Sequence, residues 1–128
     1  MTTLIDRIHA LRKAMEKKQL DGYLVTDEAN MFYFTGFLGA PRLLIPSRGE
    51  STLYVYGVNY EAAKESVKNC QVELMKLGEG ADKKAAEQIK KSRLKYLGFD
   101  ALDVSAFVKL KKNLKNVLLK PSSELIWE

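Results

Sequence analysis

Cysteine and histidine are nearly missing from this sequence: Cys70 and His9 stand alone among 128 residues. A lone thiol has no partner for an internal disulfide, so the chain depends on its core, and a reducing, cytoplasmic compartment is expected. One imidazole and one thiol far apart cannot supply the converging ligands of a zinc site. There is no Gly-x-Ser-x-Gly elbow to present a nucleophile. No apolar run approaches the ~20 residues of a membrane span. The opening Met1–Asp6 has no basic start leading into an apolar stretch, so no secretory signal is read there. Internal repeats, low-complexity tracts and long linkers are missing as well.

Arginine is scarce, so the positive charge is mostly lysine. The net charge of +5 is uneven: residues 76–120 hold 12 Lys and Arg against 5 Asp and Glu, giving +7, and the rest hold 9 against 11, giving −2. A basic half attracts nucleic acid or acidic surfaces. Here the lysines alternate with apolar residues at helical spacing, without an Arg cluster or interleaved aromatics to stack bases. Solvated helix faces are expected, with neither a nucleic-acid nor a membrane partner.

What the sequence does hold is a hydrophobic fraction of 46%. A chain of this size forms one domain and buries roughly two-thirds of its unfolded surface. Thr3 and Asp6 have the spacing of a capping box, and Leu4, Ile8, Leu11 and Met15 recur at helical period, predicting a helix that ends near Gln19. Asp21 and Gly22 make a turn into a strand over Tyr23–Thr26, apolar enough to be buried on both faces. Asp27 and Glu28 are adjacent and diverge in a turn; their expected role is to end the strand and open one helical turn, Asn30–Thr35, stopped by Gly36. Arg42–Ser47 and Ser51–Tyr56 read as antiparallel strands. Asn59–Val67 reads as a helix with Tyr60, Ala63 and Val67 on one face, followed by a strand over Val72–Leu77.

The stretch Gly78-Glu79-Gly80-Ala81-Asp82-Lys83 holds two of the three glycines of a dinucleotide fingerprint, but Glu79 and Asp82 would repel a pyrophosphate. A plain turn is expected, with Asp82 capping a helix through Ala85, Ala86 and Ile89 to Ser92. Tyr96–Asp100 is a further strand and its exit. Asp103 or Ser105 starts a helix with Val104, Phe107, Leu110 and Leu114 inward. Val117–Leu119 is a last strand, closed by Pro121, and Ser122–Trp127 opens a helix. The expected fold is α/β with three layers: a mixed, mainly parallel sheet with helices on both faces.

Asn30-Met31-Phe32-Tyr33-Phe34-Thr35-Gly36-Phe37 lies close to the pattern Asn-x-x-Tyr-Leu-Thr-Gly-Phe, with Phe34 in place of Leu. Around it stand the opening helix with Arg7, Leu11 and Met15, the entry Leu20–Thr26, the strand Leu53–Val55, Tyr60–Ala63 and Leu97–Asp100. In this order the chain resembles the N-terminal domain of the creatinase/prolidase/aminopeptidase P family. The resemblance implies a division at residues 1–121 for that domain and 122–128 for the start of a linker helix. The apolar Leu125, Ile126 and Trp127 are read as the mark of an excised fragment. It further implies a separate "pita-bread" catalytic domain with two Asp, one His and two Glu around two divalent metals of the Mn or Co class. That whole enzyme would hydrolyse the bond before proline in dipeptides or at peptide N-termini, as a homodimer.

The part carried by this chain would need no cofactor. It would act as an accessory and dimerisation domain that walls the catalytic cavity and limits substrate length. On that reading the loop from Leu38 to Arg42 meets the cavity, Tyr33 and Phe37 supply apolar rim surface, and Arg42 meets a substrate carboxylate. The plainer assignment puts Tyr33 and Phe34 in the core and Arg42 in solvent. Two other readings stand beside it: a free-standing peptidase-like module that binds peptides or protein tails, and a small independent enzyme, for which the residue inventory offers no site.

Overall fold

A computed structural model describes residues 3–76 and 78–127. The first helix, α1 (Leu4–Lys17), opens with the capping box expected of it: the Thr3 hydroxyl accepts from the Asp6 N–H at 3.1 Å and the Asp6 carboxylate accepts from the Thr3 N–H at 3.2 Å. Ile8, Leu11 and Met15 are its buried face. The helix, expected to end near Gln19, ends at Lys17, and Gln19 follows with a positive φ of 59°. Strand β1 (Gly22–Val25) is buried along its length and takes in Gly22, expected in the turn.

Helix α2 (Glu28–Thr35) is longer than the single turn expected. The Asp27 side chain caps it by accepting from the Asn30 N–H, and Gly36, at φ 73°, ends it in the left-handed conformation that glycine adopts without strain. Strands β2 (Arg42–Pro46) and β3 (Thr52–Tyr56) follow as the expected antiparallel pair. Arg12 of α1 locks their connection by donating from Nε to the Pro46 carbonyl at 3.0 Å and from Nη2 to that of Gly49 at 2.5 Å. Helix α3 (Gly57–Ser66) starts two residues before Asn59, with Ala63 and Val67 buried and Tyr60 half-buried. Strand β4 (Gln71–Met75) stops at Met75; Leu77, placed at its expected end, lies outside the described residues.

The next helix, α4 (Ala81–Lys91), corrects one expectation. Gly80, which has no side chain to accept a bond, holds the N-cap position, and Asp82 lies inside the first turn with its carboxylate engaged by Arg42. After β5 (Tyr96–Phe99), helix α5 (Val104–Asn113) is capped by Asp103, whose carboxylate accepts from the Ala106 N–H. Leu110 and Leu114 are buried and Phe107 half-buried, but Val104, expected inside, is 80% exposed. The apolar stripe begins one turn into the helix, with the first turn left in solvent. Strand β6 (Leu118–Pro121) includes Pro121, which an edge strand tolerates because no further strand needs its missing N–H. The chain closes with α6 (Glu124–Trp127), whose Leu125 and Ile126 are buried in the core; Glu128, expected to continue it, lies outside the described residues.

The six strands lie in the order β4-β3-β2-β1-β5-β6. Five run the same way and only β2 is reversed, so the β1–β5, β5–β6 and β3–β4 pairs are parallel. Period-two alternation then divides the core. Tyr23, Val25, Leu43, Ile45, Leu53 and Val55 face α1, α2, α3 and α6. Leu24, Leu44, Tyr54, Leu97 and Phe99 face α4 and α5. Among the described residues no helix is long and apolar enough to cross a membrane.

Gly98 sits where β5 passes under Leu20 and Tyr23, and a Cβ there would lie 2.8 Å from Leu20 Cδ1 and 2.9 Å from Tyr23 Cδ2. Both neighbours are fully packed, so Gly98→Ala should destabilise the fold by about 1–3 kcal/mol in urea unfolding. An unchanged midpoint would mean that the layer above β5 has room to give.

Candidate functional site

Doubly wound sheets bind ligands beyond the carboxyl ends of their strands, at the point where successive connections leave toward opposite faces. In this fold that point lies between β1 and β5: β1 leads into α2 on one face, and β5 leads toward α5 on the other. The crevice is filled by the chain itself. The Asp100 carboxylate accepts from the Thr26 N–H at 2.8 Å, the Asp27 N–H at 3.0 Å, the Asn30 side-chain amide at 3.0 Å and the Ala101 N–H at 2.8 Å. The Thr26 hydroxyl lies 2.8 Å from the same carboxylate and also touches the Ala101 carbonyl. A carboxylate so engaged is a structural acceptor, with little capacity left for a substrate.

The other aspartates are engaged as well. Asp6, Asp27 and Asp103 cap helices, and the Asp21 carboxylate accepts from the backbone N–H groups of Lys95 and Tyr96 at 2.9 and 2.8 Å, joining the starts of β1 and β5. Asp82 takes Arg42. The Glu79 carboxylate accepts from the Lys76 N–H at 2.6 Å, which together with Lys84 holds it below the usual carboxylate range. Among the described residues no three His, Cys, Asp or Glu side chains converge as metal donors. The donor set implied for a two-metal centre therefore does not fit the described side chains. Cys70 is half-buried, and its burial pushes the thiol up to about 12 although Arg12 pulls it the other way.

The residues expected at a cavity rim lie apart. Tyr33 is half-buried against α1, with the Arg7 guanidinium 4.5 Å from its ring centroid and the Arg7 Nη1 donating to its carbonyl at 2.7 Å. Its ring meets that of buried Phe34 edge-on at 5.1 Å. Tyr33 also lines a cavity of about 250 Å³ beneath α1 that Leu125 and Ile126 help close. Phe37 is half-buried against the same core layer. Arg42 belongs to the other face: Nε and Nη2 reach the Asp82 carboxylate at 2.6 and 3.2 Å, and Nη1 reaches the Pro41 carbonyl at 2.8 Å. This forked pair braces the start of β2 against α4. Beside the Leu38–Arg42 loop, sequence reading missed Val58, which is 90% exposed one residue into α3, and Asn59, whose amide donates to the Gly39 carbonyl at 3.0 Å. Val58 looks ordinary in the sequence; only its place just after β3 puts it at the carboxyl edge, where Leu38 is exposed as well.

Replacing Asp100 by Asn removes the charge and puts an N–H₂ among donors, so unfolding in urea should show a loss of about 2–4 kcal/mol. A loss below about 1 kcal/mol would mean that solvent replaces these bonds. At pH 8 the folded Cys70 thiolate should be about a thousandfold scarcer than in the unfolded chain, and iodoacetamide labelling correspondingly slow. The sign for stability follows: a folded thiol that keeps its proton to about 12, against 9.0 for a free one, contributes below pH 9 and is lost as pH climbs from there. Equal labelling rates with and without urea would contradict this.

The profile of the Creatinase/Prolidase N-terminal domain matches residues 7–128. An uncharacterized peptidase of Staphylococcus haemolyticus is 33% identical over 67 residues, 48% of this chain and 19% of that protein, so the match spans about a fifth of the relative's length. The Xaa-Pro aminopeptidase (aminopeptidase P) of Streptococcus thermophilus superposes with a TM-score of 0.87 at 19% identity, over 98% of this chain and 97% of that one. The Xaa-Pro dipeptidase of Bacillus anthracis superposes with a TM-score of 0.86 at 22% identity, over 97% of this chain but 35% of the other. At those identities the two structures establish the fold, while the profile covers nearly the whole sequence. This chain belongs to the creatinase/prolidase N-terminal domain family.

Proposed function

We propose that this chain serves as the non-catalytic accessory and dimerisation domain of a cytoplasmic Xaa-Pro dipeptidase or aminopeptidase. A C-terminal catalytic domain would supply two divalent ions of the Mn or Co class and cleave proline-containing peptides. This domain would help wall that active site in a homodimer. The observation that carries the reading is the Asp100 carboxylate: the crevice where such a sheet would take a ligand is closed by the chain's own hydrogen bonds. Shape is what remains to contribute. The carboxyl edge offers the exposed Leu38 and Val58, apolar surface suited to excluding water from a neighbouring cavity.

Tyr33, Phe37 and Arg42 remain our candidates for the cavity rim. For Arg42 the role requires a choice, because a substrate carboxylate would have to compete with Asp82 for the same fork. Two N–H groups beyond the three already engaged are the available compromise.

The isolated chain with Mn²⁺ or Co²⁺ should show no hydrolysis of Xaa-Pro dipeptides above the metal-free background; turnover would sink the proposal. In the complete enzyme, Arg42→Ala should raise KM for a dipeptide roughly 5–30-fold, equivalent to about 1–2 kcal/mol, with kcat little changed. Asp82→Ala should lower the melting temperature without that rise. If both variants lose the same stability and neither moves KM, Arg42 is a brace only.

A further inference from the structure

At the opposite end of the sheet, where β5 and β6 begin, the C-termini of α4 and α5 frame a cavity of about 590 Å³. Five exposed cations line it: Lys90, Arg93, Lys95, Lys112 and Lys115. No Asp or Glu is among the lining residues. Among the described residues the ion pairs are Arg42–Asp82 and Lys84–Glu79, so none of the five is neutralised by a carboxylate. The two helix C-termini each offset about half a charge, and the Asp21 carboxylate held on the Lys95 and Tyr96 N–H groups offsets about one more, which leaves roughly three positive charges around one cleft. The floor is aliphatic, with Leu114 buried and Leu94 and Val117 half-buried on the core beneath.

We propose that this cleft is a docking site for an acidic amphipathic segment of a partner protein. Two or three aliphatic side chains of that segment would sit on Leu94, Leu114 and Val117, and its Asp and Glu side chains would meet the lysines above. Charge complementarity selects the partner's sign, and the mutual repulsion of five cations is relieved when it binds. The aliphatic floor selects a peptide over nucleic acid: the lining holds no aromatic ring on which a base could stack and a single arginine to grip phosphate. The cleft and the carboxyl edge lie at opposite ends of the strands, so a partner here would leave the proposed cavity wall free.

The test uses the 128-residue chain and fluorescence anisotropy of a labelled helical peptide of about 14 residues, with Leu at helical spacing and Glu between. Saturable binding is expected, and Lys112→Glu with Lys115→Glu should weaken it roughly tenfold or more. The same charge change at Lys64 and Lys68, in and just after α3, should weaken it less than roughly threefold, reflecting long-range charge alone. Val117→Thr should weaken this peptide while leaving the weaker binding of an oligoglutamate of equal charge unchanged. All these positions but Val117 are exposed, and circular dichroism checks that each variant folds. The proposal is overturned if the peptide does not saturate, if oligoglutamate binds as tightly, if both double variants weaken binding equally, or if a single-stranded oligonucleotide of equal charge displaces the peptide at equal or lower concentration.

Discussion

A single carboxylate, that of Asp100, closes the carboxyl end of the sheet where β1 and β5 part. Its bonds to Thr26, Asp27, Asn30 and Ala101 reach the first residue after β1, the cap of α2, the helix itself and the exit of β5. Parallel strands have no hairpin to hold their ends together, so a side chain must do it, and a charged acceptor is the strongest means available. Asp21 does the same at the other end, joining the starts of the two strands through the N–H groups of Lys95 and Tyr96. The central pair of the sheet is thus clamped at both ends by aspartates that are distant in sequence.

The two core layers meet at those clamped strands. Tyr23 is wholly buried on one face, and its hydroxyl donates to the Ser122 carbonyl at 2.7 Å; burial, with Asp100 and Glu124, pushes its phenol upward. That bond fixes the chain just ahead of α6, whose Leu125 and Ile126 then return to pack with α1. On the other face Arg42 and Asp82 tie the reversed strand β2 to α4. Arg7, Arg12 and Arg42, with Asp21, Asp82 and Asp100, thus serve as joints between elements, and what remains for other molecules is apolar surface at one end of the strands and lysines with Arg93 at the other.

Several elements were legible because their signals are local. The capping box at Thr3 and Asp6, the Asp27 cap, the Gly36 stop and the apolar runs of β1, β2 and β3 all depend on neighbours within a few residues. Where a local signal had a distant competitor, reading failed. Asp82 has the right type for an N-cap, but the helix begins one residue before it, and Arg42, forty positions away, takes its carboxylate. Val104 has the right period for the core, but periodicity does not say where the covering layer begins. For the candidate site, Tyr33, Phe37 and Arg42 were named through the family resemblance, whereas their separation onto different faces was not legible in the sequence.

The sequence by itself determined the element order, the mixed sheet with its one reversed hairpin strand, and kinship with the creatinase/prolidase N-terminal domain. Each of these follows from short-range patterns and their sequence along the chain. Only the tertiary structure decided which carboxylates are spent as clamps, which apolar residues stay outside, and that five cations from two helix ends share one cleft. Those outcomes depend on which long-range partner lies within hydrogen-bond or Coulomb reach, and distance along a chain does not encode distance in space.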